Sequence, residues 1–146
     1  MQLPCELTVL PFTPRVLAPG CKKTNPLDTI AFFIDGATRM TESGAICHCL
    51  ATRPGPSPLD VGQDEGDCAA FLDWSCFSDA TLTFPQTLVL RCSHLEPQVA
   101  EDHAKWFLGR LHAVEDALEG RRWLCAGRFT VADFTIGHAP LLTRSG

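Results

Sequence analysis

The chain has 146 residues, of which 12 are basic and 17 acidic, and its net charge is −5. This length can bury a core in one domain or in two small lobes. No basic patch interleaved with aromatic residues occurs, which argues against a nucleic acid partner. No apolar run reaches the roughly 20 residues that span a bilayer, and the N-terminus lacks a signal-peptide pattern. We therefore expect a cytoplasmic protein with no membrane partner.

The eight cysteines are expected to be reduced thiols, because the sequence carries no secretion signal. The absence of a Cys-x-x-Cys pair argues against a structural zinc site and against a thioredoxin-type redox motif. The run Cys47-His48-Cys49 falls in a predicted helix, where consecutive side chains diverge by about 100° and cannot converge on one ion. We predict no metal site, and most cysteines are interpreted as small apolar side chains.

The N-terminal part of the chain predicts short strands. Residues 3–12 alternate in polarity and predict one strand, which prolines end. Residues 30–34 form an apolar run that ends in Asp35-Gly36, and residues 37–40 predict a return strand. An Asp-Gly pair between two such runs is typical of a type I′ hairpin, in which both central residues need a positive φ.

A helix is predicted over residues 44–52, directly after the hairpin. Thr41-Glu42-Ser43 precedes it, and the hydroxyl of Thr41 or Ser43 can cap it. The N-terminus of a helix carries unpaired N–H groups and about half a positive charge, so it can bind a carboxylate or a phosphate. Residues 53–63 follow, with three prolines and two glycines, and predict an interdomain linker.

The rest of the chain has helical periodicity. Residues 67 to about 93 predict a helix that Pro85 should kink or split. Pro97 suits a first helical position, apolar residues then recur at helical spacing, and Gly120 ends the run. Thr130 as N-cap and Asp133 three residues later predict a capping box at the start of the last helix.

These motifs resemble one protein family. The strand, the Asp-Gly hairpin and Glu42-Ser43 at a helix start resemble the second half of the thioredoxin-like domain of glutathione transferases. Residues 123–139, WLCAGRFTVADFTIGHA, are similar to the segment W-L-x-G-x-x-F-T-x-A-D that begins the core helix of that family's C-terminal domain. Because both motifs occur in the right order, the chain is identified as a member of the family over residues 3–142.

The resemblance implies an α+β fold. A partial thioredoxin-like N-terminal lobe of strand, β-hairpin and helix would occupy residues 1–52, with a linker at 53–63 and an all-helical C-terminal lobe at 64–146. It also implies that Ser43 and the helix N–H groups bind the γ-glutamyl carboxylate of glutathione, while Glu42 binds its α-amino group. The backbone of Ile30 would pair with the cysteinyl unit. Thr130 and Asp133 inherit only a structural role.

The chain departs from the family at its N-terminal end. Residues 3–12 match the family's second strand, so we expect the first strand and helix, and the catalytic Ser, Tyr or Cys after that strand, to be missing. Cys5, Thr13 and Cys21 are catalytic candidates by residue type only, because none follows the required strand. Ala31 stands where the family has a cis-proline, and we expect a trans bond there because a cis non-proline bond costs about 2.5–4 kcal/mol.

The chain also ends soon after the core helix, where the family usually continues. A face of that helix that includes Phe134, Ile136, Leu141 and Leu142 is therefore expected to need cover from a partner.

Two classes of function follow. The first is an enzyme that conjugates glutathione to a small electrophile, or otherwise uses it as co-substrate. We expect it to be impaired by loss of the catalytic first strand and helix, and its catalytic residue is not identified in this chain. The alternative is a non-catalytic binding or dimerisation module, or a degenerate fragment. In that alternative Trp106 and the aromatic residues between 71 and 84 could form a homodimer face, although they could equally fill the helical core.

Overall fold

A computed structural model describes residues 3–10, 20–27, 29–53 and 55–142, with side chains to residue 139. The chain folds into two compact units, residues 1–46 and 47–146. The described elements are α1 (Cys21–Thr24), β1 (Phe33–Asp35), β2 (Thr38–Met40), α2 (Ser43–Thr52), α3 (Cys68–Phe77), a π-helical segment (Ser78–Thr83), α4 (Phe84–Cys92), α5 (Pro97–Leu118) and α6 (Val131–Leu142). The predicted α+β class, a short hairpin followed by helices, is confirmed. The boundaries predicted at residues 52 and 63 stay a prediction.

The hairpin forms where it was predicted, but with a different turn. Strands β1 and β2 are antiparallel, and Asp35 pairs with Thr38, so the loop consists of Gly36 and Ala37. Gly36 has a φ of 57°. Among the described residues other than glycine, a positive φ occurs at Ala126 and at no other position, so it does not occur at Ala37. Ala37 therefore has a negative φ, and the type I′ prediction is wrong. Its Cβ atom disfavours the left-handed region that glycine enters freely.

The strand predicted over residues 3–12 is wrong for the part that the structure describes. Residues 3–10 have no regular secondary structure, and residues 11 and 12 lie outside the described ranges. Leu7 and Val9 are each 82% exposed. A strand needs a neighbour for its N–H and C=O groups, and the sheet in the described residues contains β1 and β2 alone.

The split expected at Pro85 is confirmed. Helix α3 passes into the π-helical segment, and α4 then begins one residue before Pro85. Proline has no N–H group and cannot close the α-helical hydrogen bond of the preceding turn. The wider turn is spanned by Thr83, whose hydroxyl donates to the carbonyl of Ser78 at 3.0 Å. Leu82, the fifth of the six residues of this segment, is fully buried.

Helix α5 begins and ends where the sequence predicted. Pro97 is its first residue, and Gly120 follows its end with a φ of 67°. Ala100, Phe107 and Val114 are buried at a seven-residue spacing, so one face of the helix packs inward. Trp106 lies on another face and is 56% exposed, and Phe84 at the start of α4 is 58% exposed. These two aromatic side chains therefore do not fill the core, whereas Phe71 does.

Two hydrophobic clusters form the core of residues 47–146. The first is buried between α2, α3 and the start of α6 and contains Ala51, Val61, Phe71, Cys125, Val131 and Ala132. The second contains Leu82, Phe107, Val114, Leu124, Ile136 and Ala139. Trp74 on α3 packs against both clusters. The expected exposed face on α6 is wrong for Ile136, which is buried in the second cluster. Phe134 is 53% exposed, as expected. The side chains of Leu141 and Leu142 are not among those that the structure describes.

The start of α6 is stabilised by one carboxylate. Oδ2 of Asp133 accepts hydrogen bonds from the backbone N–H and the hydroxyl of Thr130, at 2.9 and 3.0 Å. Oδ1 of Asp133 accepts the backbone N–H of Leu124 at 2.9 Å. Thr130 is fully buried and Leu124 nearly so. One side chain therefore satisfies polar groups of both the helix and the loop that leads into it.

The predicted linker is bound to this same region. The guanidinium of Arg128 donates to both carboxylate oxygens of Glu65 at 2.7 Å, and to the backbone carbonyls of Pro58 and Asp60 at 3.1 and 2.8 Å. The backbone N–H of Val131 donates to the carbonyl of Leu59 at 2.8 Å. Residues 58–65 are thus attached along their length to the start of α6.

The pair of Glu65 and Arg128 predicts a specific pH dependence. The hydrogen bond from Arg128, and then that from the N–H of Gly62, lowers the pKa of Glu65 from 4.5 to about 2. A lowered carboxyl pKa contributes stability above the unfolded value, and the contribution disappears as the pH falls from 4.5 to about 2. We expect Glu65→Gln to lower the melting temperature at neutral pH, and the difference from wild type to vanish towards pH 2.

Thermal melts of both proteins across this pH range measure that difference. Glu115→Gln, an exposed site on α5, is the matched control and should follow wild type throughout. A gap between Glu65→Gln and wild type that is constant from neutral to acid pH would contradict the assignment.

Candidate functional site

The N-terminus of α2 has the geometry of an anion site. The helix begins at Ser43, and two residues separate it from the end of β2. The carbonyl of Glu42 accepts the N–H of Ile46 at 2.9 Å, which is the first bond of the helix. Glu42 and Ser43 are both exposed, and the hydroxyl of Thr41 lies 3.4 Å from Oε1 of Glu42. The first N–H groups of the helix, which have no carbonyl partner within the helix, therefore lie next to two exposed polar residues.

Ile30, the third glutathione-binding residue predicted from the sequence, precedes β1 in the same unit. Its side chain is 52% exposed. The peptide bond between Ile30 and Ala31 is cis, so the expectation of a trans bond is wrong. Which groups Ile30, Glu42 and Ser43 bind stays a prediction.

Known proteins resemble this chain in three-dimensional structure, whereas the sequence comparisons found no match. No family model and no curated protein matches the chain. The glutathione transferase URE2P8 from Phanerochaete chrysosporium, solved with oxidized glutathione, matches 88% of the chain with a TM-score of 0.75 and 17% identity. A glutathione transferase homologue from Lodderomyces elongisporus, with two GSH per subunit, matches 85% with a TM-score of 0.72 and 22% identity. Glutathione S-transferase 1-6 from Anopheles dirus species B matches 94% with a TM-score of 0.75 and 19% identity.

The chain has the glutathione transferase fold. It spans 61%, 65% and 66% of the lengths of these three proteins. The resemblance drawn from the two sequence motifs is thus confirmed at the level of the fold. None of the described helices combines the length and the apolarity needed to cross a lipid bilayer.

The catalytic candidates do not gain support from their positions in this glutathione transferase fold. Cys5 is exposed in the segment 3–10, which has no regular structure. Cys21 is half-buried at the first position of α1, a helix of four residues. Thr13 lies outside the described residues. Neither described candidate follows a strand, and the catalytic residue remains unknown.

Two thiols near the first hydrophobic cluster are held in the protonated form. Burial, and then the charge of Asp79, raises the pKa of Cys47. Burial also raises the pKa of Cys125, although a hydrogen bond with Thr130 at 3.5 Å opposes the shift. Thiols with raised pKa values are poor nucleophiles and poor metal ligands at neutral pH. Within the described ranges, no three His, Cys, Asp or Glu side chains are placed to hold a metal ion.

Sequence reasoning missed a second concave surface, in the loop between α5 and α6. Arg121, Arg122 and Trp123 line an open cleft there together with Asp67 at the start of α3. The adjacent arginines and the tryptophan were a usable signal, but the approach of Asp67 depends on residues about 60 positions apart.

Proposed function

We propose that this chain binds glutathione at the N-terminus of α2 and uses it with a small electrophile, in a catalytically weakened form. The observation that carries the proposal is that Glu42 and Ser43 lie exposed at the first turn of a ten-residue helix, directly after the hairpin. The structures that carry this fold with bound glutathione add support. The eight cysteines are free thiols, which supports a cytoplasmic location.

Each residue has a role that follows from its chemistry. The hydroxyl of Ser43 and the N–H groups of the first turn donate to the γ-glutamyl carboxylate, which the positive end of the helix also attracts. The carboxylate of Glu42 accepts a hydrogen bond from the α-amino group of glutathione. The backbone of Ile30 pairs with the cysteinyl unit through its N–H and C=O groups. The ligand is thus held by its γ-glutamyl end and by the backbone of its cysteinyl unit, and its thiol remains available.

The weak step is activation of that thiol. A thiol with an unperturbed pKa near 8.5 is only a few per cent ionised at neutral pH, so a hydrogen-bond donor must lower the pKa for rapid conjugation. Neither described catalytic candidate supplies such a donor from a position after a strand. We therefore expect binding of glutathione with slow turnover.

Calorimetric titration with glutathione tests the proposal. We expect saturable binding by the wild-type protein and about tenfold or greater weakening in Ser43→Ala and in Glu42→Ala, because each change removes a hydrogen bond to a charged group. Ser93→Ala, at an exposed position just after α4, and Glu115→Ala, at an exposed position on α5, are the matched controls and should bind as wild type does.

The same samples decide between binding and catalysis. Conjugation of glutathione to an aryl halide, followed by absorbance, should proceed little faster than the uncatalysed reaction. Saturable binding without turnover supports the weakened form, while rapid turnover would identify a fully active enzyme. The proposal fails if a cooperatively folded sample does not bind glutathione at millimolar concentration.

A second candidate function is a dimerisation module without turnover. The observation that favours it is the exposure of Trp106 on α5 and Phe84 on α4, two large aromatic side chains outside both hydrophobic clusters. Apolar surface of this kind marks association sites when it is contiguous. Sedimentation equilibrium over a range of protein concentrations distinguishes a homodimer from a monomer.

A further inference from the structure

The cleft beside the loop between α5 and α6 has a volume of about 360 Å³ and lies wholly within residues 47–146. Its lining contains a loop with two arginines and a tryptophan, a buried thiol and one carboxylate. These residues are Asp67, Arg121, Arg122, Trp123, Cys125 and Gly127. Nothing in the proposed binding of glutathione uses them.

The loop that carries the arginines is anchored at several points. The N–H of Leu124 donates to Asp133 at 2.9 Å, and the N–H of Ala126 donates to Asp67 at 2.6 Å. Leu124 and Cys125 are nearly fully buried in the two hydrophobic clusters. Ala126 and Gly127 have φ values of 54° and 62°, which fixes a tight change of direction. The arginines therefore project from a rigid support.

The two guanidinium groups share the cleft with one carboxylate, that of Asp67, and neither is paired with it. Neither Arg121 nor Arg122 makes a side-chain hydrogen bond or an ion pair with any residue in the described ranges. Arg128, a few residues later, is instead saturated by Glu65 and backbone carbonyls. Asp67 is the acid of the cleft, and its Oδ2 atom is occupied by the N–H of Ala126.

Arg122 is also oriented before any ligand arrives. Its guanidinium lies 4.9 Å from the centre of the Trp123 ring, and Trp123 is in turn held edge-on by Phe129 at 5.3 Å. A guanidinium stacked on an aromatic face keeps its N–H groups free in its own plane. Because the side chain is already ordered, a ligand loses less conformational entropy when it binds.

We propose that Arg121 and Arg122 form a binding site for the phosphate group of a phosphate monoester. The two adjacent positive charges match a group that carries about −1.5 to −2 at neutral pH better than they match a monocarboxylate. An alternative role for Arg121 and Arg122 is to neutralise the negative C-terminal end of α5. That effect falls off within the last turn, and these residues lie three and four positions beyond Leu118.

Titration of the 146-residue chain with phenyl phosphate tests the proposal. Binding is followed by calorimetry and by the indole N–H signal of Trp123 in a proton–nitrogen spectrum. We expect saturable binding, a shift of that signal, and about tenfold or greater weakening in Arg121→Gln and in Arg122→Gln. Arg91→Gln is the matched control, because Arg91 is an exposed arginine on α4 outside the cleft. It should bind as wild type does.

Titration with benzoate at the same ionic strength separates a phosphate site from a general anion site. Benzoate should bind at least several-fold more weakly than phenyl phosphate. Equal affinity for the two probes, equal weakening in Arg91→Gln, or no saturation at millimolar phenyl phosphate would each overturn the proposal. Both variants replace exposed side chains, so a melt that matches wild type verifies that a loss of binding is not a loss of folding.

Discussion

Replacement of Asp133 by alanine is expected to lower the free energy of unfolding by about 3 kcal/mol and the melting temperature by about 10 °C. The carboxylate accepts two hydrogen bonds from Thr130 and one from the N–H of Leu124. Both residues are almost inaccessible to water, so their N–H groups would lose a partner that solvent cannot replace. Thermal and urea unfolding followed by circular dichroism measure the loss.

Asp116→Ala is the matched control, because this carboxylate is exposed near the end of α5. It should change the stability by less than about 0.5 kcal/mol. Asp133→Asn keeps one acceptor oxygen and the shape of the side chain, so its loss should be smaller than that of alanine. If Asp133→Ala and Asp116→Ala melted together, the carboxylate would not support the loop and α6 as described.

Replacement of Phe71 by alanine is expected to cost about 3–5 kcal/mol. Phe71 is 1% exposed, belongs to the first hydrophobic cluster and lies with its ring centre 5.9 Å from that of His48. Removal of the ring loses its transfer free energy and leaves a cavity between helices that pack too tightly to collapse fully. Because small domains are stable by only about 5–15 kcal/mol, this variant should be close to unfolding at physiological temperature.

The next residue in the chain supplies the control for this prediction. Leu72 is 50% exposed, and Leu72→Ala should cost about 1 kcal/mol or less. Urea denaturation of both variants gives the two costs under the same conditions. Similar costs at positions 71 and 72 would mean that α3 is rotated from the orientation described here.

The boundaries of the long helices could be predicted because their signals are local. Pro97 has no N–H group to lose in the first turn, Gly120 adopts the left-handed conformation that ends a helix, and Pro85 breaks the ladder. Each of these effects depends on the residue itself and on its nearest neighbours along the chain. They do not depend on the tertiary fold.

Elements that depend on distant partners could not be predicted in the same way. A strand at residues 3–10 would need a neighbouring strand, which polarity alternation cannot supply. Glu65 and Arg128 are 63 residues apart, and nothing in a single sequence pairs them. Trp106 and Phe107 are adjacent in α5 and lie about 100° apart around its axis, so the packing of the helix decides which of the two is buried.

The part of the candidate site that could be predicted is the part that depends on local secondary structure. Glu42 and Ser43 were located from a hairpin signal and a helix start, and both lie at the first turn of α2. The cleft around Arg121 and Arg122 depends on Asp67, whose approach to Ala126 is a tertiary contact. A recognised motif can therefore find the first surface, whereas the second requires coordinates.

Trp74 has a consequence for how the helical unit responds to damage. Its indole packs against both hydrophobic clusters, so neither can loosen without disturbing a side chain that the other also uses. Groups that share a neighbour in this way tend to open together, as one foldon. A destabilising substitution in the buried turn before α6 would thus also destabilise the π-helical segment. The effect of a substitution in this unit therefore depends on both clusters.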